Sequence, residues 1–428
     1  MSTSASTEFA KDSVSLISML KHAVVGADER PFGRLDDAVI EFRGDEYPLV
    51  VGIFISVEGK KLFTSAADIA NISGSGVRLS QPQRASQGSL ERRDGQVRLR
   101  AEVLGRWLID LRNGVLVKAH DIRLALATDG WHAVGVDVHK YSWLHFGPHE
   151  THPARDWRDF LVLIGDHGRA EYPLLSKRIR RLKPAQIADI IETASPQEQS
   201  VLMDMVHVDP ELEASVFEEL DDDRQTRLLK LRTNEEIADV LSRMRADDAA
   251  DAVMTLPQNR RQDILSLLSA PQSKKVMTLL GYNKATAGGL MGTEYMALTE
   301  DHSIGDALEQ LRLAVNEQPE ALVIIHSLRA DGILAGTLSL VRAIQLSPTT
   351  LLRDAADAQI VVASPDDDIV VVTTRMADYN LLSLPVVDPS GRLLGIVTVD
   401  DALEAAIPSD WSRREAGRSS LAKGGPAN

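Results

Sequence analysis

Residues 333–346, ILAGTLSLVRAIQL, and residues 392–405, RLLGIVTVDDALEA, are two versions of one unit, aligned by Gly336 on Gly395 at an offset of 59 residues. Each runs from a β-branched apolar stretch into a hydroxyl residue, Ser339 or Thr398, and then into a helical pattern. Thr398 reads as the cap of the last helix, with Asp400 and Asp401 in its first turn, because a hydroxyl there accepts a bond from a free backbone N–H. Around the second version, DDDIVVVTTRMADYN and SLPVVDPSG complete an order of helix, strand, strand, helix. The repeat predicts a paired, pseudo-symmetric α/β module over residues 285–345 and 350–408, followed by a flexible tail, 409–428.

Upstream, residues 174–280 change period. Apolar residues recur at three- and four-residue spacing (Ile187, Ile190, Ile191, then Leu202, Met205, Val206), as on one face of a helix. Pro184, Pro196, Pro210, Pro257 and Pro271 punctuate the pattern; proline suits a first helical turn and stops the helix before it. The expectation is a superhelix of short helical repeats. Its acids are dense: fourteen against six bases between Asp209 and Asp251.

The densest acidic stretch is RADDAADAVMTLP, residues 245–257. Asp247 and Asp248 suit a helix start, where the dipole stabilises a carboxylate by about 0.3–1 kcal/mol. Asp251 lies one turn further along the same face as Asp247, and two such carboxylates repel unless something sits between them. A hydrated Mg²⁺ suits such a pair, because it keeps several waters and takes only one or two carboxylates. Residue spacing leaves both readings open.

The front of the chain favours strands. AVIEFRG and PLVVGIFISVEGKKLFTSAADI are rich in Val, Ile and Phe, and GRWLIDLRNGVLVKAHDIRLAL repeats the theme with an Asn113-Gly114 turn. Two copies are expected, about 33–75 and 103–146, within a β region 31–150 and after a flexible N-terminus, 1–30. His120, His132, His139, His145, His149 and His152 crowd near Trp131, Trp143 and Trp157, without the H-E-x-x-H spacing of a metal helix, so they are expected to be packing and surface residues.

Composition narrows the classes. The net charge of −15 argues against a nucleic-acid partner, whose phosphates need a basic surface. With no cysteine, disulfides and thiolate metal sites are excluded. No apolar stretch in the front half approaches the roughly 20 residues of a membrane span, and the N-terminus lacks a signal-peptide pattern, so a cytoplasmic protein without direct membrane insertion is expected. There is no G-x-S-x-G, P-loop or H-E-x-x-H; an isolated Asp166-His167 pair is weak, and no enzyme is expected.

Residues 281–298, GYNKATAGGLMGTEYMAL, carry a resemblance. They are similar to the stretch Y-x-x-x-T-A-G-G-L-M-x-T-E that joins the cytosolic N domain of MgtE-type magnesium transporters to its CBS domains, matched here by Tyr282, Thr286, Ala287, Gly288, Gly289, Leu290, Met291, Thr293 and Glu294. By the same resemblance the C-terminal repeat is a CBS pair, and the two front copies look like PRC-barrel domains, small β-barrels that bind other proteins. The implied fold class is multidomain α+β: small β-barrels, an all-α helical repeat and an α/β CBS pair.

The resemblance implies Mg²⁺ shared across the interface between the N domain and the CBS pair, with Asp247, Asp248 and Asp251 on one side and Glu294, Asp400, Asp401 and Glu404 as candidates on the other. It also implies an adenine-nucleotide turn, G-x-x-[ST]-x-x-[ND], at Gly395, Thr398 and Asp401; the first copy has Arg342 at the acidic position, so one ATP-type site is expected. Where the family continues into an acidic plug helix and membrane spans, this sequence reads AAIPSDWSRREAGRSSLAKGGPAN. The expectation is therefore a soluble, non-transporting regulatory protein. It would sense Mg²⁺ or a similar cation, dimerise through its CBS domains, and signal to a partner such as a membrane transporter through the PRC-like barrels. The alternatives are a nucleotide-responsive or a purely structural adaptor.

Overall fold

The computed structural model describes residues 13–20, 22–80, 95–139, 154–163, 172–314 and 319–407. The chain divides into two compact units, Met1–Leu220 and Asp221–Asn428.

The first unit opens with a barrel-like, largely antiparallel sheet. Strand β1 (Pro31–Glu41) pairs with β2 (Leu49–Val57), and β3 (Asp121–Ala127) pairs with β4 (Gly130–Asp137). The two hairpins meet where His132 in β4 pairs with Leu49 in β2. The two expected copies do not form separate bodies: Leu35, Ile40, Ile53 and Ile55 from the first share one core with Leu108, Ile122 and Val136 from the second. A handful of short strands cannot bury its apolar face alone, so the copies cover each other. The expected flexible N-terminus is also shorter than 1–30. Val14 and Ser15 pair with Leu124 and Arg123 of β3, and Ala23–Val25 pairs with β1, while Leu16, Met19 and Val24 are fully buried.

Helices α1 (Tyr172–Ile179), α2 (Pro184–Thr193), α3 (Pro196–His207) and α4 (Pro210–Glu218) complete this unit. Pro184, Pro196 and Pro210 stand at the first turns, and Ser195 with Glu198 closes a capping box on α3. Of the histidines, His132 bonds Asp129 Oδ1 at 2.7 Å and the Tyr47 carbonyl at 3.0 Å, a packing role. His145, His149, His152, Trp143, the Asp166-His167 pair and the tail 409–428 lie outside the described residues.

The second unit continues the helical repeat with α5 (Asp222–Lys230), α6 (Asn234–Leu241), α7 (Ala246–Thr255), α8 (Gln258–Leu267) and α9 (Ala270–Leu279). The small face of α7, Ala249, Ala250, Ala252 and Val253, is buried and lets it pack on α9 and α5. After the turn α10 (Ala287–Leu290) comes the paired module. Its first motif contains β5 (Met296–Thr299), α11 (Ile304–Leu313), β6 (Ile324–Leu328), β7 (Leu334–Ser339) and α12 (Leu340–Gln345). Its second contains α13 (Ile369–Asp378), β8 (Ser383–Val387), β9 (Leu393–Thr398) and α14 (Val399–Ala406). β5 runs parallel to β6, which pairs antiparallel with β7; β8 and β9 are antiparallel.

The repeated glycines mark crossings of backbone. A Cβ on Gly395 would lie 2.6 Å from the Gly292 carbonyl oxygen, and one on Gly336 would lie 2.8 Å from the Ala356 Cβ. The T-A-G-G stretch has the same cause. A Cβ on Gly289 would sit 2.1 Å from the Asn283 carbonyl oxygen, and one on Gly288 would sit 2.6 Å from the Tyr282 ring.

Gly289→Ala should therefore destabilise the second unit by roughly 1–3 kcal/mol or more in urea unfolding, since the clash is with backbone that cannot step aside. A second prediction concerns His326, fully buried on β6. It donates Nδ1–H to the Met296 carbonyl at 3.0 Å and leaves Nε2 without a partner, and burial lowers its pKa from 6.5 to about 4. The unfolded chain takes up this proton at a higher pH than the folded one, so stability should fall as pH drops from about 6.5 to about 4. The loss at the acid end should be roughly 3 kcal/mol. His326→Leu, compared with the unmodified chain across that window, should remove this component.

Candidate functional site: carboxylates around Arg245

The first turn of α7 faces the second motif of the paired module. Arg245 stands at the N-cap with extended backbone (φ −57°, ψ 150°) and makes no capping bond of its own. Its Nε donates to Asp248 Oδ2 at 2.7 Å, and its Nη1 donates to Asp401 Oδ1, also at 2.7 Å. Burial works against the charge of this guanidinium, but Asp248, Asp247 and Asp401 outweigh burial and hold it protonated.

Asp247 lies beside this pair and is only 8% exposed. Its Oδ1 is buried without a hydrogen-bond partner. Burial first, and then the neighbouring Asp248, push its carboxyl up to about 8, against the pull of Arg245; Asp401 pushes in the same direction as Asp248. From α14, Glu404 is also raised, by burial foremost, with Arg245 opposing and Asp401 and Asp400 adding to the shift. Asp401 itself accepts the Thr398 hydroxyl on Oδ2. Asp247, Asp248, Asp401 and Glu404 thus gather about one guanidinium, with exposed Asp400 within electrostatic reach.

The other candidates lie apart from this group. Asp251 pairs with Lys284 at 3.1 Å, and the same lysine lies 3.5 Å from Asp222. Burial raises the Asp251 carboxyl and Lys284 lowers it. Asp251, Met254, Leu279, Tyr282 and Lys284 line a hollow of about 370 Å³. Glu294 accepts from Lys275 at 2.6 Å. Among the described residues no three His, Asp or Glu side chains converge as a ready metal cage. The donors that do gather are hard carboxylate oxygens, one of them unpartnered, and they suit an ion that keeps most of its water.

At the expected nucleotide turn, Gly395 is packed against Gly292 and Met291, Thr398 is 5% exposed and caps α14, and Asp401 is held by Arg245 and Thr398. Arg245 is the functional residue that spacing rules pass over. The available signal is its position, because a cation at a helix N-terminus opposes the dipole and needs another reason to be there.

Comparison with known proteins agrees with this architecture. Residues 182–285 match the MgtE intracellular N domain, and residues 341–408 match the CBS domain. Residues 182–408 thus resemble an MgtE-type N domain followed by a CBS pair. The magnesium transporter MgtE of Thermus thermophilus is 31% identical over 255 residues, 60% of this chain and 50% of the transporter. MgtE of Bacillus subtilis is 24% identical over 218 residues, 45% of this chain and 48% of the transporter. The chain thus spans about half the length of the curated relatives it matches. The crystal structure of the cytosolic domain of the Mg²⁺ channel MgtE in complex with ATP superposes with a TM-score of 0.51 at 28% identity, covering 55% of this chain and 95% of that one. Among the described residues no helix is long and apolar enough to cross a membrane.

Proposed function

We propose that the N-like repeat and CBS pair form a cation-responsive regulatory module, and that Mg²⁺ is the ion sensed. The observation that carries this reading is Asp247: a nearly buried carboxyl with one oxygen unpartnered, within electrostatic reach of acids from both the repeat and the CBS pair. Burial and the neighbouring acids hold this carboxyl neutral near pH 7, so its ionised form needs a cation to support it. A hydrated divalent ion bound at Asp247 with the nearby Asp248, Asp401 or Glu404 would relieve their repulsion and favour the arrangement that brings them together.

The response passes to a partner, either a transporter or another protein contacted through the barrel-like sheet. A second copy of the chain is expected on the CBS helices, where Val341, Ile344, Val370 and Leu403 are 68%, 66%, 67% and 54% exposed. The similarity of this region to transporter parts supports the assignment to regulation rather than to chemistry.

Thermal unfolding across a Mg²⁺ titration tests the reading. At a concentration about a hundred times the dissociation constant, one bound ion should stabilise the fold by about 2.7 kcal/mol, or roughly 5–10 °C in Tm. Asp247→Asn should abolish the shift while leaving the ion-free protein at least as stable, because the amide matches the neutral carboxyl that burial favours without changing shape. A Tm indifferent to Mg²⁺, or a shift that survives Asp247→Asn, would overturn the assignment. A shift with ATP alone would move the ligand to Thr398 and Asp401.

A further inference from the structure

We infer that Arg245 is a tethered counter-cation: it bridges the helical repeat to the second CBS motif when no metal is bound, and it shares Asp401 with any ion that enters. The inference rests on the cation-sensing reading only for the second clause. The first stands on geometry alone.

Arg245 starts α7, where a positive charge is disfavoured by the helix dipole. That cost is offset by carboxylate partners, one within its own turn and one far along the chain. One partner, Asp248, is local; the other, Asp401, lies 156 residues away on α14. The guanidinium side chain is 24% exposed and Asp401 is 10% exposed, so water screens the pair weakly. The fork of the guanidinium reaches one oxygen of each carboxylate at 2.7 Å. Thr398 holds that remaining oxygen of Asp401 and fixes its rotamer.

The lysines on the other two candidate acids behave differently. Lys284 and Asp251 are 45% and 43% exposed, and Lys275 and Glu294 are 40% and 28% exposed. Such pairs contribute about 0–1 kcal/mol and yield easily to solvent or salt. Arg245 is the one of the three whose removal takes a counter-charge from the poorly exposed carboxylates Asp247 and Asp401. With Asp248 and the exposed Glu404 beside them, their repulsion would then loosen the two elements unless a cation is bound. The resting state is therefore closed by a guanidinium, and a divalent ion reinforces a contact that already exists.

Hydrogen exchange on the full chain tests this, read at α7 and α14 in EDTA and then in excess Mg²⁺. Strands β8 and β9 serve as the control for an intact CBS fold. In EDTA the unmodified chain should protect both helices. Arg245→Ala should raise exchange of α7 by about tenfold or more with β8 and β9 unchanged, as expected for breaking a poorly solvated pair. Mg²⁺ should restore protection in that variant, and Arg245→Lys should keep most of it in EDTA. Asp401→Asn should loosen α7 as Arg245→Ala does, with no further loss in the double variant. If Arg245→Ala also unfolds β8 and β9, Asp401→Asn decides alone. Equal protection of α7 in EDTA with and without the Arg245 or Asp401 side chain would overturn the bridge. Loosening in EDTA that Mg²⁺ does not reverse would retain the bridge and overturn the sensor.

Discussion

Two backbone hydrogen bonds between Gly292 and Ile396, at 2.9 and 3.0 Å, tie the chain leaving the helical repeat into the sheet of the second CBS motif. Everything in the second unit depends on this crossing. It requires Gly395 to lack a side chain, because the Gly292 carbonyl lies where a Cβ would be. It also sets the origin of α14, which begins three residues after Gly395 at its cap Thr398. The linker cannot lie elsewhere without unpairing Ile396, and so the repeat that precedes it is delivered to the α14 end of the module. The first motif makes the equivalent crossing with its own exit segment, through Thr337 and Asp357, so the pseudo-symmetry holds in geometry while the connections differ.

That backbone constraint makes the electrostatics unavoidable. Once the repeat is anchored, the acidic start of α7 and the acidic start of α14 face one another, each at the end of a helix that favours negative charge. Helix dipoles account for acids at each start taken singly. They do not account for Asp247 being nearly buried with an unpartnered oxygen, nor for an arginine at a helix N-cap. Both features fit the proposal that the two helix starts are one site, with the arginine as counter-charge and the orphaned oxygen as a place for a ligand.

The CBS pair, the helical repeat and the joining motif were legible because their signals are local. Gly336 and Gly395, the N1 prolines, and Thr286 to Met291 report on their own neighbourhoods. The shared core of the two front copies was not legible, because periodicity shows that a face is apolar and not which face covers it. The N-terminal Leu16 and Met19 were passed over for the same reason: a short apolar run acquires a place only when a distant strand, here β3, receives it. At the candidate site the acids were found and their partners were not. Aspartate spacing along a helix is periodic information, whereas Arg245 on Asp401, Lys284 on Asp251 and Lys275 on Glu294 depend on how elements pack.

These partners rank the acids as cation ligands. An ion approaching Asp251 or Glu294 has to displace an exposed lysine, whose ammonium is readily rehydrated; but the carboxylates it meets there are already partly solvated and lysine-paired, and so it gains little over water. An ion approaching Asp247 breaks no hydrogen bond at Oδ1, and it finds Asp248 and Asp401 close by. Charge balance favours the second location as well, since one guanidinium is set against Asp247, Asp248, Asp401 and Glu404. A monovalent ion offsets less of that negative charge than a divalent one, and a dehydrated divalent ion would need a cage that the described residues do not form. A divalent ion that keeps its inner waters offsets more of the charge without such a cage, which is the physical ground for proposing Mg²⁺ at Asp247.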